Sequence, residues 1–326
     1  MPNPVSIIYH ADCPDGFGAA LAAWKKFGDT ADYHPMHHGE DWQALDLTGK
    51  SVFILDFSFS HGTLERIAEQ ASAVTQIDHH ASARAAWADQ LKTTNDGLET
   101  FRHQKLPLNI IFNLKKSGAR LSWEHFSPDL PLPLALRHVE DMDMWRFAIP
   151  GTRAFSRSLR LLPFDFPTWE QMLVETSNQD SPRYLSMLAE GAAIEQFFKR
   201  EIDRLSKSHL IMPASVRGEV IDPLQAIRHG QALIQSESLA WQSISGLAIN
   251  ADSLFASELG NRLAEHSGTF GLIWQLAADG EIKASLRAAG NVDVAAIASH
   301  YGGGGHPNAA GFRMPAADFI AEVLGK

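Results

Sequence analysis

Cysteine is almost missing from this chain. Cys13 is the single one among 326 residues, so no disulfide closes within it and a disulfide-stapled scaffold is excluded. No run of about 18 apolar residues exists, which excludes a membrane-spanning helix. The opening MPNPVSIIYHADCPDG lacks the basic segment and long apolar stretch of a secretory signal. A cytoplasmic location is the expectation from these absences. Basic residues are in deficit, 28 Lys and Arg against 38 Asp and Glu, for a formal charge of −10. Tight nonspecific binding of long duplex nucleic acid rests on many Lys and Arg contacts to phosphate and is disfavoured. A small anionic substrate stays open, and metal-binding carboxylates would account for part of the acidic excess. Repeats and low-complexity tracts are absent. What remains is 45% hydrophobic and 20% charged, ample for a core, over a length that suggests two domains or three.

The first third alternates strand and helix patterns. VSIIYH (5–10), SVFILDF (51–57) and SAVTQIDHH (72–80) read as strands. FGAALAAWKKFG (17–28) and HGTLERIAEQA (61–71) have helical spacing. That alternation predicts a parallel sheet with helical crossovers, in which ligands collect at the carboxyl ends of the strands. From 81 to 116 the pattern is weak. SGARLSWEHFS (117–127) and PLALRHVEDMDMW (133–145) read as helices. One long amphipathic helix is expected over 182–210, as a connector. A second α/β block follows, with a strand over 243–251. A helix over 252–268 is capped by Asp252 and stopped by Gly268. Asp279-Gly280 turns between two strands, and a helix over 293–302 runs into Gly302–Gly305. The stretch 211–242 fits no pattern.

Three predicted strands end in residues able to bind metal: His10 with Asp12 and Asp15 beyond it, then Asp56, then Asp78, His79 and His80. An imidazole with carboxylates suits a hard or borderline divalent ion. Ordinary alternatives stand beside each reading. Asp15 could cap the helix after it. Asp56 could cap the next, as could Ser58 or Ser60. His79-His80 could be a polar loop pair, as His37-His38 is read to be. Asp141 and Asp143 are two apart on a predicted helix and point in different directions, so one of them at most faces a site. A glycine run at a helix end can offer backbone N–H groups to a phosphate. His306 beside it adds a donor, and Arg287 can make a bidentate phosphate contact. The alternative there is a flexible linker.

Taken together, HADCPDGFGAA, ILDFS, IDHH, EDMDMW, SLR and GGGGHPNAAG resemble the DHH phosphoesterase superfamily. That superfamily includes RecJ-type exonucleases, nanoRNases and family II inorganic pyrophosphatases. The last two motifs resemble the DHH-associated C-terminal domain of its nuclease branches. The resemblance extends from residue 10 to 312. It implies an α/β fold: a parallel-sheet DHH domain (1–181), a helical connector (182–210) and a smaller mixed α/β DHH-associated domain (211–326). It implies two divalent ions, Mn²⁺ with Mg²⁺ or Co²⁺ as substitutes, held by His10, Asp12, Asp15, Asp56, His79 and Asp141, with Asp56 bridging. The resemblance puts the last ligand at Asp141, which leaves Asp143 solvated or capping. It implies that Asp78 orients the imidazoles and that His80 meets the attacked phosphoryl group or the leaving oxygen. Arg287, Gly304, Gly305 and His306 would grip a nucleotide phosphate. The usual first motif reads His, three residues, Asp, one residue, Asp. Here His10 is followed by Asp12 and then Asp15, closer to an HxxCxDG-like subgroup.

The implied activity is hydrolysis of short single-stranded oligonucleotides or linear dinucleotides to mononucleotides by a metal-activated water. A homodimer is left open. The alternatives are a nucleoside 3′,5′-bisphosphate phosphatase, an inorganic pyrophosphatase, or a nucleotide sensor without catalysis.

Overall fold

A computed structural model of the chain describes residues 3–37, 39–218, 242–290 and 292–325. The chain forms two compact units, residues 1–196 and 197–326.

The first unit is built on seven strands: β1 (Val5–His10), β2 (Ala31–Met36), β3 (Ser51–Leu55), β4 (Ala73–Asp78), β5 (Lys92–Thr93), β6 (Glu99–Arg102) and β7 (Leu108–Phe112). Their order is β2-β1-β3-β4-β7-β6-β5. The first five in that order are parallel, and β6 and β5 close the edge antiparallel. The helices are α1 (Pro14–Phe27), α2 (His61–Gln70), α3 (Ala81–Ala85), α4 (Gly118–Phe126), α5 (Leu134–Asp143), α6 (Thr152–Leu159), α7 (Phe166–Glu175) and α8 (Pro182–Leu205). Alternate residues of each central strand feed two cores. Ile7, Leu55 and Ile77 pack with α1, α4 and α5 on one face. Ile8, Ile54 and Val74 pack with Leu64 and Ile67 of α2 on the other. Both faces are covered, which is why these strands read as near-continuous apolar runs.

Four strands of this sheet, β2, β5, β6 and β7, carried too little pattern to be read from the sequence. β7 is a short LNIIF segment that pairs with β4. β2 is an edge strand carrying Pro35, tolerated because an edge has an unpaired side. The order in which strands are added reverses at β1, since β2 lies on one side of it and β3 on the other. That places a topological switch point between the carboxyl ends of β1 and β3, where ligands of such sheets bind.

The second unit holds a six-stranded sheet, ordered β12-β13-β11-β10-β9-β8. Its strands are β8 (Met212–Gly218), β9 (Gln242–Asn250), β10 (Phe270–Leu276), β11 (Glu281–Ala288), β12 (Gly304–His306) and β13 (Ala309–Pro315). Only β9 and β10 run parallel. The helix Ala256–Ser267 covers one face through Leu259 and Leu263, against Ile249 and Ile273. The helix Val294–His300 and the C-terminal Phe319 and Val323 cover the other. Ala256–Ser267 does end on a left-handed Gly268, while Asp252 caps the short turn before it. Residues 219–241, most of the stretch that fitted no pattern, lie outside the described residues, as does His38. No described helix is long and apolar enough to cross a membrane.

Candidate metal centre

Strand register brings the polar residues level. Tyr9 pairs with Leu55 and Leu55 with Ile77. His10, Asp56 and Asp78 therefore stand side by side at the carboxyl end of the sheet. The Asp56 backbone N–H donates to the Ile77 carbonyl, 3.0 Å away, and its φ of +51° turns the chain out of the strand. Ser60, not Asp56, caps α2, so the Asp56 carboxylate has no helix to serve. Gly118 explains how closely α4 approaches it. A Cβ there would lie 2.5 Å from Asp56 Cβ and Oδ1. Gly16 plays the same part at β1, where a Cβ would collide with the His10 carbonyl.

Asp56 is the hub. Its side chain is buried, with Oδ2 3.6 Å from His10 Nδ1 and Oδ1 3.1 Å from His79 Nε2. Oδ1 accepts no well-aligned hydrogen bond despite that short approach. His79 Nε2 also lies 3.5 Å from Asp15 Oδ2 and 3.6 Å from Asp143 Oδ2, so three carboxylate oxygens converge on one imidazole nitrogen. Burial opposes the charge on Asp56, but His10 and His79 hold its carboxyl below the usual range. Burial, then Asp56, push Asp15 well up. Asp143 is raised by burial foremost, against the pull of His79 and with Asp56 adding to the rise. Burial works against a charge on His79, yet the surrounding carboxylates raise it well above its ordinary value.

Asp78 has a different task. It is fully buried, and its Oδ1 accepts from His80 Nδ1 at 2.7 Å and from the His79 backbone N–H at 2.8 Å. Its Oδ2 accepts from the Ser58 hydroxyl at 2.5 Å. Burial disfavours its charge, but His80 outweighs this and holds it at about 2. Burial likewise disfavours a charged His80, and Asp78 overcomes it, raising the imidazole to about 9. The pair is an oriented, positively charged imidazole at neutral pH.

Among the expected ligands, His10, Asp15, Asp56 and His79 come together, and two others do not. Asp12 sits at φ +52°, its side chain 81% exposed, with Oδ2 3.4 Å from His37 Nε2. Its side chain is turned outward, toward His37. Asp141 points into the protein instead of the site. Its Oδ1 accepts from the Ala148 N–H (2.8 Å), and its Oδ2 from the Ile149 N–H (3.0 Å) and the Thr152 hydroxyl (2.5 Å). With the Thr152 proton given to Asp141, His138 Nδ1 must donate to Thr152 Oγ1, and His138 Nε2 accepts from Tyr184. Asp141 is thus the end of a buried chain that fixes residues 144–152. The choice of Asp141 over Asp143 is corrected: Asp143, at the last residue of α5, supplies the carboxylate at the cluster. Asp15 does not cap its own helix. Both its oxygens accept from the first N–H groups of α4, Gly118 at 2.7 Å and Ala119 at 3.0 Å, which joins the first motif to the α4 N-terminus. Cys13 was not foreseen. It lies with His10 and Asp56, and its place between His10 and Asp15 is the signal that could have found it. Burial, then Asp56, Asp143 and Asp15, push its thiol well up.

Among the described residues of the first unit, three groups present ligand atoms within 4.8 Å of one another: His10, Cys13 and Asp56; Asp15, His79 and Asp143; and Asp56, Asp78, His79 and His80. Buried carboxylates this close repel unless cations balance them. Imidazole and carboxylate oxygens suit a divalent ion. The donor set therefore fits a pair of divalent cations: Asp56 belongs to the first and third groups, and its Oδ1 lies 3.1 Å from His79 Nε2 of the second.

In the second unit, Arg287 and His306 are both in register with Ala309, from β11 and β12 on either side of β13. Directly opposed residues share a face, and the small Ala309 separates the two. Arg287 donates to Ser257 Oγ and to the Leu286 carbonyl, each at 2.8 Å. Burial lowers it to about 10, with Glu258 opposing. Gly304 and Gly305 lie in β12, paired with Gly311 and Ala310. The N–H groups of Gly302 and Gly303 close the preceding helix onto Ser299 and Ala298. This segment is a strand with a tight approach, not a linker.

The DHHA1 domain family matches residues 247–326. An uncharacterized protein, R106 of Acanthamoeba polyphaga mimivirus, is 29% identical over 324 residues. The match covers 94% of this chain and 66% of the viral protein, so the chain spans somewhat less than two thirds of that relative's length. Among solved structures, a pGpG-specific phosphodiesterase, PggH of Vibrio cholrae, matches at 13% identity and a TM-score of 0.44, covering 97% of this chain and 95% of that one. RecJ of Thermus thermophilus, solved with Mn²⁺, matches at 15% identity and a TM-score of 0.47, covering 98% and 51%. Residues 247–326 thus carry a DHHA1 domain, and it follows a DHH motif that closes a carboxylate and histidine cluster in the first unit.

Proposed function

We propose that this protein hydrolyses phosphodiester bonds in short single-stranded oligonucleotides or linear dinucleotides, releasing mononucleotides, at the cluster centred on Asp56. One observation carries the reading: two sets of ligand atoms meet across a single buried carboxylate whose oxygens face His10 and His79. When bound, a pair of divalent cations, Mn²⁺ for this imidazole and carboxylate set, polarises phosphoryl oxygens and makes water nucleophilic near neutral pH. The chain's own residues do the rest. Asp78 holds His80 through Nδ1, so that Nε2 is the nitrogen that donates to a phosphoryl or leaving oxygen. The charge that Asp78 maintains on that ring matches the charge developing there, and a donor fixed beforehand costs no reorganisation. Ser58 anchors Asp78 from behind. Arg287 and His306, with the backbone of Gly304 and Gly305, are proposed to hold a terminal phosphate of the substrate. A fork of guanidinium donors suits a phosphate better than a point charge does.

The test is a substrate panel in Mn²⁺, from nucleoside 3′,5′-bisphosphate through dinucleotides such as pGpG to 24-mers, with pyrophosphate alongside and products resolved by mass. Mononucleotides released from dinucleotides support the proposal. Inorganic phosphate from the bisphosphate or from pyrophosphate alone would assign one of the two other hydrolases. Protein that holds metal yet turns over none of these would overturn the enzymatic reading.

A further inference from the structure

Cys13 takes no part in the hydrolysis described above, and its surroundings are unusual for the only thiol of a chain. It is the N-cap of α1, in extended conformation, and its side chain makes no capping hydrogen bond. A Ser, Thr, Asp or Asn at that position would stabilise the helix by about 1 kcal/mol, so the residue present forgoes that stabilisation. Pro14 follows at the first helical position and fixes the chain as it leaves the cap. Asp12 directs the carboxylate of this segment outward, to His37. Cys13 is the side chain that accompanies His10 and Asp56 instead, with the three ligand atoms within 4.8 Å of one another. Asp56 supplies the second observation. It is 1% exposed, its Oδ1 lies 3.1 Å from His79 Nε2 without an aligned hydrogen bond, and its Oδ2 faces His10 at 3.6 Å, so a cation beside His10 would meet a carboxylate oxygen already in place.

We propose that the Cys13 sulfur is a metal ligand together with His10 and Asp56, so that this position selects a thiophilic divalent cation such as Zn²⁺, Co²⁺ or Fe²⁺, while the Asp15, His79 and Asp143 position has the harder oxygen-rich set. The inference rests on the paired-cation reading of the site. A thiolate, an imidazole and a carboxylate oxygen are three donors typical of zinc. Soft sulfur discriminates against Mn²⁺ and Mg²⁺, which prefer oxygen. The two positions therefore differ in kind, and a protein loaded with one metal alone is not in its preferred state.

Because the chain has a single cysteine, any sulfur-to-metal signal belongs to Cys13. Metal-stripped full-length protein is reloaded with Co²⁺, its bound cobalt is counted by atomic emission, and its near-ultraviolet absorption is recorded. The expected result is a sulfur-to-cobalt charge-transfer band in the wild type. Cys13→Ser and Cys13→Asp should lose that band, and the Asp variant should still bind cobalt. In competition, Cys13→Asp should shift the choice between Zn²⁺ and Mn²⁺ toward Mn²⁺ by about tenfold or more. Two cobalt ions bound to wild type without the band would overturn the thiolate ligand and leave the paired-cation site standing. Wild type that binds no cobalt, Mn²⁺ or Zn²⁺ would overturn both. Circular dichroism of the variants separates lost coordination from lost fold.

Discussion

Asp141 and Asp143 are two residues apart and chemically identical, and the structure gives them opposite tasks, so exchanging each is the sharpest test of the site. Asp141→Ala removes the acceptor of three hydrogen bonds, from the Ala148 and Ile149 N–H groups and the Thr152 hydroxyl. Hydrogen bonds to a charged partner are worth about 1.5–3 kcal/mol each. Ala148 is exposed and Ile149 half-buried, so those two amides regain water in part. A total loss of about 3–4 kcal/mol follows, or a fall in melting temperature of roughly 10 °C for a unit of this size. Asp143→Asn should act in the other direction on the metal-free protein. Burial and the Asp56 charge raise the Asp143 carboxyl. Its ionised form at neutral pH therefore weakens the fold, and removing the charge stabilises it. The same change should deprive the cluster of one cation. Calorimetry in chelator measures the first effect, and metal content after Mn²⁺ loading the second. An Asp141→Ala protein that melts like wild type, together with an Asp143→Asn protein that keeps its full metal complement, would refute the assignment.

Gly118→Ala should lower Mn²⁺ affinity, because the new Cβ would lie 2.5 Å from Asp56; calorimetric titration reads this, and overpacking should cost about 1–3 kcal/mol of stability. His138 is held neutral by burial, down at about 4. A base lowered in the folded state loses stability as pH falls through the range between about 6.5 and 4, because the unfolded chain takes up the proton first. Urea midpoints across that range should report a loss approaching about 3 kcal/mol, and His138→Gln should flatten the curve. His80→Asn should reduce kcat by about 10²–10⁴ with metal stoichiometry unchanged, since its ring is held by Asp78; unaltered kcat would remove it from the mechanism. Arg287→Lys should raise KM for dinucleotides by about tenfold, with the metal content of the first unit intact.

Residue order was enough to reveal the two α/β blocks and the strand ends where the chemistry gathers. Apolar runs such as VSIIYH and VFIL are buried on both faces, and polar residues can follow only where a strand leaves the core. His10, Asp56, Asp78, His79 and His80 were legible for that reason. Strands β2 and β7 were not, since Pro35 and a five-residue LNIIF owe their place to their neighbours β1 and β4. Which carboxylates face the cluster emerges only once the chain is folded. Asp12 and Asp56 both adopt left-handed backbone, yet one turns out to His37 and the other into the core. Asp141 is withdrawn by a loop seven to eleven residues further on, and Asp143 is left at the end of α5. Local spacing fixes which side of a helix a residue occupies. It cannot fix which donor, amide or cation waits on that side, because distant segments supply that partner.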